Sequence, residues 1–206
     1  MKKTISLLLA LFVTLTAQGK YAQPDLKDIP LQRLLANLEE RVKAEPTDNE
    51  VLHQLARTHA MAYASKIGDA EPVKSHVGWG EKKFEQPWFG HQPPHVPFHD
   101  VVPSDVAATK ESAKGHLTKA IEIYTKSLAA TPTDNTIKLG LAWCQEQAGE
   151  KVIAMNLYRE VIKTAWDSES QSQGGLGAFV CVETAGYLVP LLDPTKDAAE
   201  IALINQ

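Results

Sequence analysis

The chain has 206 residues, of which 44% are hydrophobic and 22% charged, and its formal net charge at pH 7 is −4. These proportions are typical of a globular protein that folds in water, so they argue against a wholly disordered chain and against an integral membrane protein. The acidic balance and the absence of a basic run argue against nucleic acid as a partner.

The first 19 residues have the pattern of a Sec-type signal peptide. Lys2 and Lys3 precede an apolar stretch from Ile5 to Leu15, and Ala17-Gln18-Gly19 places small residues at the expected cleavage site. The stretch is shorter than the roughly 20 apolar residues that a membrane-spanning helix needs. We therefore expect a periplasmic or secreted protein with no stable membrane insertion after cleavage. Loss of the two lysines changes the net charge from −4 to −6, and residues 20–206 are expected to form a single domain.

Two amphipathic helices are predicted in the next part of the chain. The first lies between Pro30 and Pro46, with apolar residues at helical spacing: Leu31, Leu34, Leu35, Leu38 and Val42. Thr47 and Glu50 match a Thr-x-x-Glu capping box, which predicts the start of the second helix. Because the connection between them is short, the two helices should form a hairpin.

Residues 67–104, here called the insertion, lose helical periodicity. Nine proline and glycine residues between Pro72 and Pro103 prevent a long helix. The insertion also holds five aromatic residues that a solvated linker would not keep: Trp79, Phe84, Trp88, Phe89 and Phe98. We expect an irregular segment folded against the helices.

Helical periodicity returns after Asp105 and continues to Ala130, then from about Asn135 to Ala148. Gly149 fits the tight turn before a further helix with Ile153, Leu157 and Val161 on its apolar side. Beyond a glycine-rich stretch, residues 179–192 and 194–204 read as two shorter helices divided by Asp193-Pro194. No strand is required, so the predicted fold is all-α.

An internal repeat links the two predicted hairpins. Pro46-Thr47-Asp48-Asn49 recurs as Pro132-Thr133-Asp134-Asn135, 86 positions later, and each copy lies between the end of one helix and the start of the next. Stacked helical hairpins give such a signature, because one hairpin cannot bury its apolar side alone.

In this respect the chain resembles the tetratricopeptide repeat (TPR) family, whose unit is a helical hairpin of about 34 residues. The best copy begins at Asn135 and contains the matching positions Leu141, Ala142, Gly149, Ala154, Tyr158 and Val161. A second unit, interrupted by the insertion, combines Leu52, Leu55 and Ala56 with Ala120, Tyr124, Ser127 and Pro132. Lys138, where the family usually has an aromatic residue, and Gln145, where it has tyrosine, depart from the pattern. The resemblance implies a right-handed stack of antiparallel helical hairpins, an α-solenoid.

The resemblance also implies a function. In TPR proteins the first helix of each unit lines a concave groove that binds peptides or partner proteins. The corresponding residues here are Glu50, His53, Arg57, Leu139, Trp143 and Glu146. Trp143 is the residue of this set most typical of an interface anchor, with packing inside the chain as the alternative. The expected activity is non-catalytic binding, with no cofactor.

Two other groups of residues leave alternatives open. His76, His91, His95 and His99 could hold a transition metal, although the prolines among them prevent helical alignment and no ligand motif completes the set. Cys144 and Cys181 could form a disulfide or remain two separate buried side chains. The sequence contains no recognised catalytic motif. The runner-up function is therefore metal or small-ligand binding through the insertion.

Overall fold

The fold was determined as a computed structural model, which describes residues 29–67, 75–79, 82–86, 110–169 and 179–205. Side chains are described within 29–67, 112–166 and 179–205. The predicted signal peptide lies outside these ranges, as do most of the insertion and His91, His95 and His99.

The first two helices form where the sequence predicts them. Helix α1 spans Leu31–Ala44 and buries Leu31, Leu34 and Leu38. Helix α2 spans Asn49–Ser65. The expected capping box is wrong by one position, because Asp48 and not Thr47 caps α2. The Asp48 carboxylate accepts hydrogen bonds from the amides of Glu50 and Val51 at 2.9 and 3.2 Å.

A two-stranded antiparallel sheet lies within the insertion. Strand β1 spans Ser75–Trp79 and strand β2 spans Lys82–Gln86, with Val77 opposite Phe84. The expectations that the insertion is irregular and that the chain needs no strand are therefore wrong at this point. Two residues, beginning with Gly80, separate the strands, and a two-residue connection that starts with glycine favours a tight hairpin.

The next three helices follow the sequence prediction closely. Helices α3 (Lys110–Ala130), α4 (Asn135–Gln147) and α5 (Lys151–Glu169) are joined by short turns. Asp134 caps α4 as Asp48 caps α2, accepting from the amides of Thr136 and Ile137 at 2.9 and 3.1 Å. Gly149 has φ +90°, a backbone conformation that favours glycine, and it reverses the chain between α4 and α5.

The carboxy-terminal elements are shorter than predicted. Helix α6 spans Val180–Leu188 and passes into a 3₁₀ turn, Val189–Leu191, because Pro190 has no amide hydrogen to continue the α-helix. Helix α7 begins at Ala198, not at Pro194, and ends at Ile204. The intervening turn is held by the Asp193 carboxylate, which accepts from the amides of Thr195 and Lys196.

Side-chain contacts show that α2 is antiparallel to α3 and that α4 is antiparallel to α5. These two helix pairs are called the two long hairpins below. Asn49 at the start of α2 bonds to Ser127 and Thr131 near the end of α3, and His59 near the end of α2 contacts His116 near the start of α3. In the next hairpin Asn135 accepts a hydrogen bond of 2.6 Å from Thr164. The asparagine of each copy of the repeated motif thus forms hydrogen bonds that connect the two helices at one end of its hairpin.

Helices α1 to α6 each pack mainly on their neighbours in the chain, and two further contacts join α2 to α4 and α4 to α6. These three helices are called the alternate helices below. The main core contains both tyrosines of the family pattern, Tyr124 and Tyr158, together with Ala120, Ala142 and Ala154, and all five are at most 1% exposed. A second core lies between α1 and α2. The prediction of a mostly helical protein is confirmed.

In the part of the chain that the structure describes, none of the helices has both the length and the apolar composition needed to cross a membrane.

Candidate functional site

The six groove residues predicted from the sequence lie on two of the alternate helices but differ in accessibility. Glu50 is exposed, and His53, Arg57 and Glu146 are half-buried. Leu139 is fully buried and Trp143 is 6% exposed, both within the main core. All six therefore lie on helices, and only Glu50, His53, Arg57 and Glu146 among them reach the surface.

Trp143 is a core residue and does not offer a surface anchor. Its ring lies edge-on to Tyr63 of α2, with 6.3 Å between ring centroids, and the Tyr63 hydroxyl donates to the Gln147 carbonyl oxygen at 3.5 Å. Such an edge-to-face pair fills the space between α2 and α4. The alternative of internal packing applies to this tryptophan.

Arg57 brings a positive charge into a largely buried position on α2. Burial lowers the pKa of its guanidinium, while the nearby Tyr124 and Glu183 act in the opposite direction. An arginine remains charged under such conditions, so its surroundings must supply acceptors. Glu183, on α6, is half-buried and brings a carboxylate toward Arg57 across the alternate helices.

Glu146 is connected to α5 and α6 through two tyrosines. The Tyr158 hydroxyl donates to the Glu146 carboxylate at 2.8 Å, and the Tyr158 ring stacks on Tyr187 with 6.1 Å between centroids. Burial raises the pKa of Tyr158 and of Tyr187, and Glu146 raises both further. Both hydroxyls therefore stay protonated at neutral pH and act as hydrogen-bond donors.

Polar side chains on the three alternate helices act on one another electrostatically, and we call this group the polar seam. It consists of His53 and Arg57 on α2, Glu146 on α4, and Glu183 and Tyr187 on α6. The charge of Glu183 acts on both Arg57 and Tyr187, and that of Glu146 acts on Tyr187. His53 joins it through Tyr124, whose ring centroid lies 5.9 Å away.

Sequence reasoning did not find Glu183 and Tyr187. Both lie on α6, whose sequence matches the family pattern only loosely, so it was not assigned a groove role. The order of the helices could have indicated these residues. Helix α6 follows α4 as α4 follows α2, and in both cases a single helix lies between them.

The described residues contain no cluster of three or more side chains suited to bind a metal ion. Of the histidines proposed as ligands, His76 lies on β1, and the other three fall outside the described ranges. Metal binding through the insertion stays a prediction.

Both cysteines are buried and neither forms a disulfide in this structure. Burial raises the pKa of the Cys144 thiol, which keeps it protonated and unreactive at neutral pH. Of the two alternatives, the structure fits separate buried side chains.

No protein-family model matches the chain. Searches of curated proteins and of solved structures likewise find no significant match.

Proposed function

We propose that this protein is an exported, TPR-like scaffold that binds a peptide or protein segment over the polar seam, without catalysis. The observation that carries the proposal is the convergence of the seam on three alternate helices. In a stack of hairpins those helices line one side, so a segment lying across them would contact all three at once.

The repeat geometry supports the TPR-like arrangement. Ala56 and Ala142, in the first helices of the two units, are 86 positions apart, whereas Ala120 and Ala154, in the second helices, are 34 positions apart. The second value equals the length of a TPR unit. The difference of 52 residues arises between Ala56 and Ala120, where the longer connection adds 41 residues and the longer ends of α2 and α3 add 11. Apart from these additions, the spacing is compatible with one helical plan for both units.

The chemistry of the seam supports a peptide ligand. Arginine and tyrosine are enriched at the centres of protein interfaces, because they combine a large contact area with directional hydrogen bonds. Here Arg57, Tyr187 and two carboxylates lie within one connected set, so the seam offers donors and acceptors to a peptide backbone. His53, Arg57, Glu183 and Tyr187 also have other partners within the chain, which a bound segment would exchange for its own.

The test begins with selection of peptide ligands from a random display library on the mature protein, residues 20–206. Binding of a selected peptide is then measured by fluorescence anisotropy for the native chain and for Glu183→Lys, which reverses a charge in the seam. We expect a loss of affinity of at least about tenfold, as for a central interface residue.

The matched control is Glu122→Lys, the same change at an exposed glutamate of α3 whose carboxylate pairs with Lys119. It should leave the dissociation constant within about twofold, because isolated surface charges away from an interface contribute little. Equal effects of the two variants, or the absence of any selectable peptide, would refute the proposal.

A further inference from the structure

Two histidines form a buried pair between α2 and α3. The Nδ1 atoms of His59 and His116 are 2.9 Å apart, and the ring centroids are separated by 5.2 Å. The residues are 6% and 9% exposed. The distance is that of a hydrogen bond, so one ring must carry a proton on Nδ1 and the other must accept it.

This arrangement tolerates only a limited number of protons. In the neutral pair, one Nδ1–H donates to the Nδ1 lone pair of the other ring. A first added proton, on Nε2 of the donor ring, leaves the bond between the two Nδ1 atoms intact, although it places a charge in a buried site. A second would occupy the accepting Nδ1, so that two positive rings would face each other with no acceptor between them.

The effects on His59 are those that disfavour its protonation. From α3 the groups acting on His59 are His116 and Lys119, and both are basic. The charged residues of α1, on another side of α2, are all exposed: Arg33, Glu39, Glu40, Arg41 and Lys43. On α4, Lys138 is paired with Glu160 of α5 at 3.2 Å. Accordingly, burial, His116 and Lys119 lower the pKa of His59 to about 4.

The position of the pair in the fold gives it a specific consequence. His59 lies six residues before the end of α2, and His116 lies six residues after the start of α3. The pair therefore sits between the two helix ends from which the insertion leaves and to which it returns. The chain connection between these ends is 44 residues long. Because so long a connection does not itself hold the two ends together, side-chain contacts have to do so.

We infer that the His59–His116 pair is an acid-sensitive latch, which fastens α2 to α3 at the base of the insertion and opens when the pair is fully protonated. The latch acts on this helix contact whatever the polar seam binds. An exported protein, as proposed above, experiences the pH of its surroundings, so acidification would loosen the α2–α3 pair before the α4–α5 pair.

The direction of the pH effect follows from the lowered pKa. An unfolded histidine has a pKa near 6.5, so unfolding takes up a proton between pH 6.5 and 4, and stability falls as the pH decreases through this window. For His59 alone, the ratio of folded to unfolded protein should fall about 20-fold between pH 7 and pH 5.

The first test uses the unmodified mature chain. NMR titration of the histidine rings should give a midpoint for His59 well below 5, whereas a midpoint near 6.5 would overturn the inference. Hydrogen exchange, corrected for the intrinsic rate at each pH, should show loss of protection in the second half of α2 and the first half of α3 at pH 5. Protection in α5 should be retained, and a uniform loss across all helices would contradict a local latch.

The second test replaces the pair with apolar residues, His59→Leu together with His116→Leu. Its α2–α3 protection should no longer depend on pH between 7 and 5, while an unchanged pH dependence would overturn the inference. If this variant does not fold, the titration and exchange of the native chain still decide the question.

Discussion

Tyr124 packs closely against Gly140 where α3 meets α4. The tyrosine is 1% exposed, and a Cβ atom added at Gly140 would lie 2.6 Å from its hydroxyl oxygen and closer still to the ring. Burial raises the pKa of this hydroxyl well above its usual value of 10.0. The ring has no space to move, so the absence of a side chain at position 140 is what lets these helices approach.

We predict that Gly140→Ala destabilises the protein by about 1–3 kcal/mol, because it overpacks a rigid core. Gly186→Ala, on α6, is the matched control. Nothing lies within 4 Å of its added Cβ, so it should stabilise the protein by about 0.5–1 kcal/mol through helix propensity. Urea denaturation measures both. In a Tyr124→Leu background the cost of Gly140→Ala should shrink, and an undiminished cost would show that Tyr124 is not its cause.

Lys138 shows how a lysine is accommodated in a nearly buried position. Its side chain is 10% exposed, and its ammonium group reaches the mostly exposed carboxylate of Glu160 at 3.2 Å. The apolar stem is thus buried while the charge remains near solvent. The charge is paired.

At the scale of the element, the repeated motif acts as a helix start. In both copies the aspartate carboxylate accepts hydrogen bonds from the backbone amides two and three residues later. The asparagine side chain forms a hydrogen bond to the other helix of the hairpin. The four residues Pro-Thr-Asp-Asn therefore provide a turn, a helix cap and a hydrogen bond to the other helix of the hairpin. These combined roles explain why the whole motif is repeated.

Removing a cap should weaken the helix that it starts. We predict that Asp134→Ala costs about 0.5–2 kcal/mol and that Asp134→Asn costs less, because asparagine also caps well. Thr133→Ala, at an exposed neighbouring position, should change stability by less than about 0.5 kcal/mol. Thermal and urea denaturation provide the values. A larger loss for Thr133 than for Asp134 would contradict capping by the aspartate.

The helices were predictable because their signals are local: apolar spacing, proline near the start, and glycine at the turn. The site was less predictable because its contacts are not local. Trp143 is buried by Tyr63, 80 positions earlier, and His59 meets His116 across 57 positions. The β-hairpin was missed because two five-residue strands in a segment rich in proline and glycine give only a weak pattern.

At the scale of the whole molecule, α7 folds back onto α5. Arg159 donates two hydrogen bonds to the Glu200 carboxylate, at 2.7 and 2.8 Å, and Ile201 and Ile204 pack on the main core. The bond from Arg159 lowers the pKa of Glu200 below its usual 4.5. Its contribution to stability is therefore present at neutral pH and lost as the pH falls through the lowered value.

We predict a coupling energy of at most about 1 kcal/mol between Arg159 and Glu200, because both side chains are partly exposed. A double-mutant cycle with Arg159→Ala and Glu200→Ala measures it at pH 7, and repetition below pH 4.5 should give a smaller value. The more exposed pair Lys119–Glu122, at 3.4 Å, is the control and should couple more weakly. A coupling that does not change with pH would show that ionisation of Glu200 is not its source.

The unequal connections within the two long hairpins bear on the order in which the molecule assembles. Three residues join α4 to α5, whereas 44 separate the end of α2 from the start of α3. Closing the longer loop costs about 2 kcal/mol more in chain entropy. The carboxy-terminal hairpin should consequently form first during folding and provide the nucleus on which α3, and then α2, condense.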